Sequence, residues 1–392
     1  MELGKARIAV VSPFVDKRHG TERRVANLVE RLKKDYEIHL FSSRVEDVDL
    51  DGVVWHRVPE IPGPHLAKYL FWFGANHICR WLAERHSGKE FDLVYSPGIN
   101  CLDADVVSVH IVFAEFLRQV RPELRLSRNP PRTWARLLHR RLYYGLIVAL
   151  EGRVYGSGAV RLVAISRKAW RDVERFYGAR RPEAIAYFGI DPGRFSPELR
   201  QGLRAKARES LGISGERFVL LLVGNDFRKK GLHALLEAAR EAGDPRLLVL
   251  VCGDDNPAPF RRYSAGPGAV ETRFLPVRGD VEFYYAAADA YIGPSLEDAF
   301  SNPPIEAMAC GLPVVVSRES GVSEVMTGGC DALILEDPTD AAALAGYIHS
   351  LLEDECLRAR LGANAARTAR RFTWDANAEQ MKQVFEQALA HA

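Results

Sequence analysis

The chain has 392 residues, 47% apolar and 27% charged, with 53 Lys and Arg against 51 Asp and Glu for a formal net charge of +2. That length exceeds one ordinary core and predicts two domains, while the near-neutral balance excludes a nucleic-acid binder that works through bulk charge. Six scattered cysteines (Cys79, Cys101, Cys252, Cys310, Cys330, Cys356) form no Cys-x-x-Cys pair, so they read as reduced thiols rather than a disulfide framework or zinc site.

Met1-Glu-Leu-Gly-Lys5 runs straight into a strand without the apolar core of a signal peptide. Leu142–Leu150, the longest apolar run, contains Gly145 and falls far below the roughly 20 residues of a membrane span. The expected location is cytoplasmic, or peripheral on the inner face of a membrane. Strands and helices alternate from the start, which predicts parallel sheets covered by helices. Arg7–Ser12 reads as a buried strand, Pro13–Thr21 as a loop, Glu22–Lys34 as a helix and Ile38–Ser42 as the next strand. Further strands are predicted at Val53–Val58, Leu93–Tyr95, Val106–His110 and Arg161–Ile165, with helices at Leu66–His86, Pro131–Tyr155 and Arg167–Tyr177. Residues 178–204 are rich in Gly and Pro and mark the boundary, with a linker at 191–204.

The second block gives strands at Phe218–Val223, Leu247–Cys252, Val270–Leu275, Ala290–Gly293, Pro313–Ser317 and Leu333–Leu335. Helices are predicted at Gly231–Ala242, Val281–Ala288, Pro304–Ala309, Asp340–Glu353, Glu355–Phe372 and Asp375–Ala390. The fold class that follows is α/β, with two doubly wound Rossmann-like domains: residues 1–190 and 205–372. The last helix, within 373–392, is expected to pack back on the first domain.

Two segments carry chemistry. Gly293–Ser317 reads as strand end, acidic loop, short helix, glycine stop and second strand, the kind of loop at which an open α/β sheet binds its ligand. Its carboxylates Asp298 and Glu306 lie eight positions apart and can accept hydrogen bonds from ligand hydroxyls, while the helix N-terminus offers N–H groups to an anion. Hydroxyls and an anion on one molecule point to a sugar nucleotide. The other segment, Val223-Gly-Asn-Asp-Phe-Arg-Lys-Lys-Gly231, places Arg228, Lys229 and Lys230 beside a helix N-terminus, a second arrangement for a pyrophosphate. It lacks the Gly-x4-Gly-Lys-Ser/Thr of a Walker loop, and no Gly-x-Gly-x-x-Gly follows the first strand.

Together these residues resemble the glycosyltransferase family 4-like (group 1) enzymes of the GT-B fold. The family's Gly-x4-(Arg/Lys)-Lys-Gly segment is matched at Gly224–Gly231, and its Glu-x7-Glu box at Pro294–Val315. The resemblance implies two domains facing across a cleft and a retaining, metal-independent transfer of a hexose. The donor would be a nucleoside-diphosphate sugar, with no separate cofactor and no metal site, and the acceptor a hydroxyl on a glycan or lipid-linked molecule. It implies donor binding by Arg228, Lys229 and Lys230 and by Phe300, Ser301, Asn302 and Pro303, with Glu306 on the ribose and Arg278 beside the base. The first Glu of the box falls on Asp298 with Glu297 just before it, and either can fill that role. Gly20, in His19-Gly20-Thr21-Glu22-Arg23, matches the family's loop after the first strand and would lie near the donor phosphate. His110 matches a strand-end His near the reacting sugar. His110, Asp298 and Lys230 are thus the candidate catalytic residues. The wording of Gly224–Gly231 is similar to that of lipopolysaccharide core glucosyltransferases, which favours a uridine donor and a role in making cell-envelope polysaccharide. The rivals are a sugar-nucleotide epimerase or phosphorylase of the same shape, and a non-catalytic sugar-nucleotide sensor.

Asp47-Val-Asp-Leu-Asp51 and Asp254-Asp255 look like metal strings but read as turns. Between Arg118 and Arg141 stand eight arginines (118, 121, 125, 128, 132, 136, 140 and 141) against Glu123 alone, and Arg132, Arg136 and Arg140 share a helix face. With the aromatics of Lys68-Tyr-Leu-Phe-Trp-Phe73, this run is a candidate contact with an anionic membrane surface.

Overall fold

A computed structural model describes residues 5–17, 20–179, 181–265 and 268–390; His19 and the side chain of Arg128 lie outside the described residues. The chain divides into two compact units. One runs to Tyr187 and resumes at Trp374; the other is Phe188–Thr373.

The sheet of the first unit comprises β1 (Arg7–Val11), β2 (Glu37–Ser42), β3 (Val53–Arg57), β4 (Leu93–Pro97), β5 (Val106–Val109), β6 (Arg161–Ala164) and β7 (Ala184–Ile185), in the order 3-2-1-4-5-6-7. Every pairing is parallel; Val10, for example, is in register with Leu40 on one side and Tyr95 on the other. Helices α1 (Gly20–Leu32), α2 (His65–Ser87), α3 (Phe113–Val120), α4 (Trp134–Tyr155) and α5 (Arg167–Tyr177) join the strands. Successive strand residues point to opposite faces, and a sheet covered on both sides buries both sets. Ile8 and Val10 accordingly pack with Val25 and Leu28 of α1 and with Met381 and Phe385, while Ala9 and Val11 pack with Trp72, Tyr155 and Val173.

The second unit repeats the plan. Its strands β8 (Phe218–Val223), β9 (Leu247–Cys252), β10 (Glu271–Leu275), β11 (Ala290–Gly293), β12 (Val314–Ser317) and β13 (Leu333–Leu335) are parallel in the order 10-9-8-11-12-13. Helices α6 (Pro197–Ser210), α7 (Leu232–Ala242), α8 (Glu282–Ala287), α9 (Asn302–Ala309), α10 (Ala341–Glu353) and α11 (Glu355–Ala369) follow, and α12 (Trp374–Leu389) belongs to the first unit. In each unit the order reverses beside the first strand, at β1/β4 and at β8/β11. That switch point opens a crevice at the strands' carboxyl ends, where such sheets hold ligands.

Three elements differ from the sequence expectation. Residues 191–204 are not a linker, because α6 begins at Pro197 within the second unit. Pro197 is a first-turn residue here, not a breaker: Ser196 caps the helix by accepting from the Leu199 N–H. Arg204 and Arg208 then tie α6 to Asp289 at 2.6 and 3.2 Å. The second difference is α3, a helix that the sequence reading did not predict; it has no side-chain cap from its own flank, and the distant Glu151 accepts from the Phe113 and Ala114 N–H groups at 2.8 and 3.2 Å. The third is α1, which begins at Gly20 rather than Glu22.

Candidate functional site

In the second unit, the loops after β8 and β11 lie directly against each other. Gly224 (φ 147°), Asp226 (φ 56°) and Gly231 (φ 76°) bend the first loop through left-handed backbone. A Cβ on Gly231 would lie 1.9 Å from the Pro294 carbonyl oxygen, so only glycine permits this approach. The Leu296 N–H donates to the Lys229 carbonyl at 2.8 Å and fixes the two loops in register.

That register pairs the cations of one loop with the acids of the other. The Lys230 ammonium meets Asp298 at 2.5 Å and donates to Ser301 Oγ at 3.0 Å; Lys229 meets Glu297 at 3.3 Å. Both pairs are partly exposed, with side-chain accessibilities of 18% and 19% for Lys230 and Asp298. Asp298 also accepts from the Phe300 N–H at 3.2 Å, and its own carbonyl accepts from Gly321 at 2.8 Å. Arg228 is exposed on the same loop. Glu306, on α9, is buried and accepts from the Tyr285 hydroxyl at 2.8 Å. Burial, with Glu306 beside it, pushes the Tyr285 phenol well above its ordinary range. Chemically, this is a pair of ammonium groups able to hold an anion, set among carboxylates able to accept from hydroxyls.

Phe300, Ser301 and Asn302 are buried and Pro303 half-buried at the start of α9. The first turn differs from the sequence expectation, because Pro303 and Pro304 carry no N–H. The helix end therefore presents fewer free donors than a general N-terminus. An anion at this helix end would find fewer backbone donors and would rely more on the lysines. Arg278 is exposed, and Asp280 holds its guanidinium through two contacts of 2.7 Å above the Phe283 ring. Its contacts are with the start of α8 rather than with Lys230 or Asp298. Asp254 and Asp255 accept from the Val277 and Phe227 N–H groups at 3.3 and 2.8 Å, so both serve loop geometry. Tyr285, which holds Glu306, gives no local signal in the sequence because it comes from a different helix.

In the first unit, His110 follows β5 and is buried. Its Nε2 lies 2.9 Å from Ser108 Oγ, which in turn is 2.7 Å from the Tyr95 hydroxyl. Its Nδ1 lies 3.3 Å from Thr21 Oγ1, next to Gly20 at the start of α1. Burial, reinforced by Arg24, holds the imidazole well below its ordinary range, so it is neutral at neutral pH. Among the described residues, and apart from its chain neighbours and the backbone of its own helix, no atom lies within 4 Å of where a Gly20 Cβ would stand. Asp47 (φ 56°) begins a turn in which Asp49 pairs with Lys33 at 2.5 Å.

The arginine run is uneven. Arg118 is committed to Glu115, and Arg140 lies over the Tyr144 ring at 5.6 Å. Arg121, Arg125, Arg132, Arg136 and Arg141 are exposed. The aromatic cluster on α2 splits: Trp72 is buried and the Tyr69 hydroxyl donates to the Ile99 carbonyl, while Leu70 and Phe71 face solvent. Trp134, Leu138 and Leu142 form an exposed apolar stripe on α4 at 44%, 51% and 57%. Their four-residue spacing was visible in the sequence. Among the described residues, no helix is long and apolar enough to cross a membrane.

Residues 204–368 match the family model described as glycosyl transferases group 1. A D-inositol 3-phosphate glycosyltransferase of Xylanimonas cellulosilytica is 32% identical over 271 residues, 65% of each chain, so the match spans just under two thirds of that relative. Among solved structures, WaaG, a glycosyltransferase involved in lipopolysaccharide biosynthesis, aligns with a TM-score of 0.75 at 20% identity over 96% of this chain and 99% of its own. Anabaena Alr3699/HepE in complex with UDP-glucose aligns at 0.71 and 19% over 97% and 99%. These structural likenesses show the fold: two Rossmann-like sheets of the GT-B glycosyltransferase type.

Proposed function

We propose that the chain, whose residues 204–368 match the group 1 glycosyl transferase model, transfers a hexose from a nucleoside-diphosphate sugar, UDP-linked by preference, to a hydroxyl of a glycan or lipid-linked acceptor. The observation that carries the reading is the abutment of two loops that places Lys229 and Lys230 against Glu297 and Asp298, with the buried Glu306 on the helix that follows. Relatives named as inositol phosphate glycosyltransferases and a neighbour holding UDP-glucose support it.

In this reading the acceptor oxygen bonds to the anomeric carbon as the bond from that carbon to the diphosphate breaks, and the hydroxyl proton passes to the leaving diphosphate. Charge grows on the diphosphate as the bond lengthens. Lys230, with Lys229 and Arg228, would stabilise it from fixed positions, the form of electrostatic catalysis that needs least reorganisation. Asp298 positions Lys230 and faces the sugar, aided by Glu297. Glu306, steadied by Tyr285, would accept from the ribose hydroxyls, and Phe300, Ser301, Asn302 and Pro303 would border the donor. Arg278 would flank the base. Gly20 and neutral His110, in the first unit, are assigned by the same reading to the donor phosphate and the reacting sugar. Retention at the anomeric carbon and independence of metal and cofactor are part of the same reading, as is a role in cell-envelope polysaccharide synthesis.

The exposed arginines, with Trp134, Leu138 and Leu142 beside them, would hold the protein peripherally on the anionic inner face of a membrane. The test of transfer is UDP release from UDP-glucose, with calorimetry of donor binding. Loss of both in Lys230→Ala and in Glu306→Ala supports the reading; near-normal values in both variants overturn it.

A further inference from the structure

At the carboxyl ends of β1 to β5, the first unit contains a cavity of about 410 Å³, within the range of small-molecule sites. Its walls are mainly apolar and aromatic: Tyr69, Phe71, Trp72, Phe113, Tyr143 and Ile147. The polar groups among them are largely committed. Tyr69 donates to the Ile99 carbonyl at 2.7 Å, Trp72 Nε1 to the Asn100 carbonyl at 3.0 Å, and Asn100 Nδ2 to the Pro97 carbonyl at 2.7 Å. Glu151, fully buried in the wall, takes three donors: the Phe113 and Ala114 N–H groups and the Tyr177 hydroxyl. His110 has both ring nitrogens engaged. Ser43 Oγ is the buried exception, beside the Tyr143 and Tyr155 hydroxyls. It is buried in the lining and has no hydrogen-bond partner among the described residues.

From this cavity we infer the acceptor class: a molecule that seats an aromatic ring or hydrocarbon chain among Tyr69, Trp72, Tyr143 and Ile147, with a hydroxyl-bearing end toward Ser43 and His110. A polyol phosphate fits badly. Its several hydroxyls would lose water in walls that offer few uncommitted partners, chiefly the hydroxyls of Ser43, Tyr143 and Tyr155. Its phosphate would meet the carboxyl groups of Glu60 and Glu151, with Lys68 as the one Lys or Arg among the described lining residues. An apolar body, by contrast, gains from desolvation in such walls. The acceptor preference therefore departs from that named for the inositol phosphate relatives. This inference rests on the transferase reading for its meaning, but its binding test does not.

The test is calorimetry on the whole chain, with octyl β-D-glucopyranoside below its micelle-forming concentration and D-inositol 3-phosphate as the two probes. The expected result is at least tenfold tighter binding of the glycoside. That binding should weaken at least tenfold in Ile147→Phe and in Tyr143→Trp, which fill the cavity from a buried and a half-buried position. Equal or tighter binding of inositol 3-phosphate would overturn the inference. So would glycoside affinity unchanged in both variants. UDP-glucose binding, measured separately, reports on the transferase reading, so the two failures stay distinguishable.

Discussion

The Lys230 ammonium bridges Asp298 and Ser301, so one cation ties the loop after β8 to the loop that feeds α9. Asp298, not Glu297, is the carboxylate it meets. Glu297 reaches Lys229 instead, at a longer 3.3 Å. Asp298→Ala is therefore expected to lower kcat/KM for donor turnover at least tenfold more than Glu297→Ala, with Asp298→Glu retaining most of the activity. Steady-state kinetics on the three variants decides this, and an equal loss for Asp298→Ala and Glu297→Ala would refute the assignment.

Gly231 has no substitute. Alanine there must adopt φ 76° and place its Cβ at 1.9 Å from a backbone oxygen, which cannot rotate away as a side chain can. Gly231→Ala should cost more than about 2 kcal/mol in urea unfolding and should separate the two loops enough to weaken UDP binding. Wild-type stability in that variant would show that the loops are not held as described.

Glu151 makes stability depend on pH. Burial raises its carboxyl to about 7, against the pull of the Phe113, Ala114 and Tyr177 donors. A raised acid keeps, in the folded chain, a proton that the unfolded chain has already released. Its contribution is thus greatest below the ordinary carboxyl range and is lost as pH rises toward 7. A shift of that size corresponds to up to about 3 kcal/mol. Urea unfolding at pH 5 and pH 8 should show the wild type losing stability relative to Glu151→Gln; parallel profiles would rule the effect out.

The exposed arginines just before and along α4 predict a salt-sensitive membrane contact. Reversing Arg132, Arg136 and Arg141 to Glu removes three exposed cations, each worth about 1 kcal/mol near an anionic surface, so vesicle partitioning should fall at least roughly 100-fold. Leu138→Glu should lower it through the apolar stripe even at high salt. Flotation with phosphatidylserine vesicles measures both, and indifference to the triple reversal would exclude the contact.

Both sheets were legible because their strands are nearly unbroken apolar runs between loops, as with Phe218–Val223 and Leu247–Cys252. The cationic and acidic loops were legible as separate segments, since each carries its glycine and its charges locally. What one sequence did not show was pairing at a distance. Tyr285 on Glu306 and Glu151 on the start of α3 join residues from different elements, and neither leaves a periodic trace. α6 was missed because Pro197 and Gly202 look like breakers, whereas proline suits a first turn and one glycine costs a helix only about 1 kcal/mol. The prolines at 303 and 304 were visible throughout, yet the missing donors matter only once α9 is seen to start at Asn302.

The first unit borrows its last covering from residues 374–389, where Met381 and Phe385 pack against the sheet face that holds Tyr95 and Ile38. During synthesis on the ribosome, the second unit emerges before that face can be closed. An early product ending near Thr373 would carry a finished second unit and a first unit with bare apolar surface, the kind of nascent species that chaperones meet.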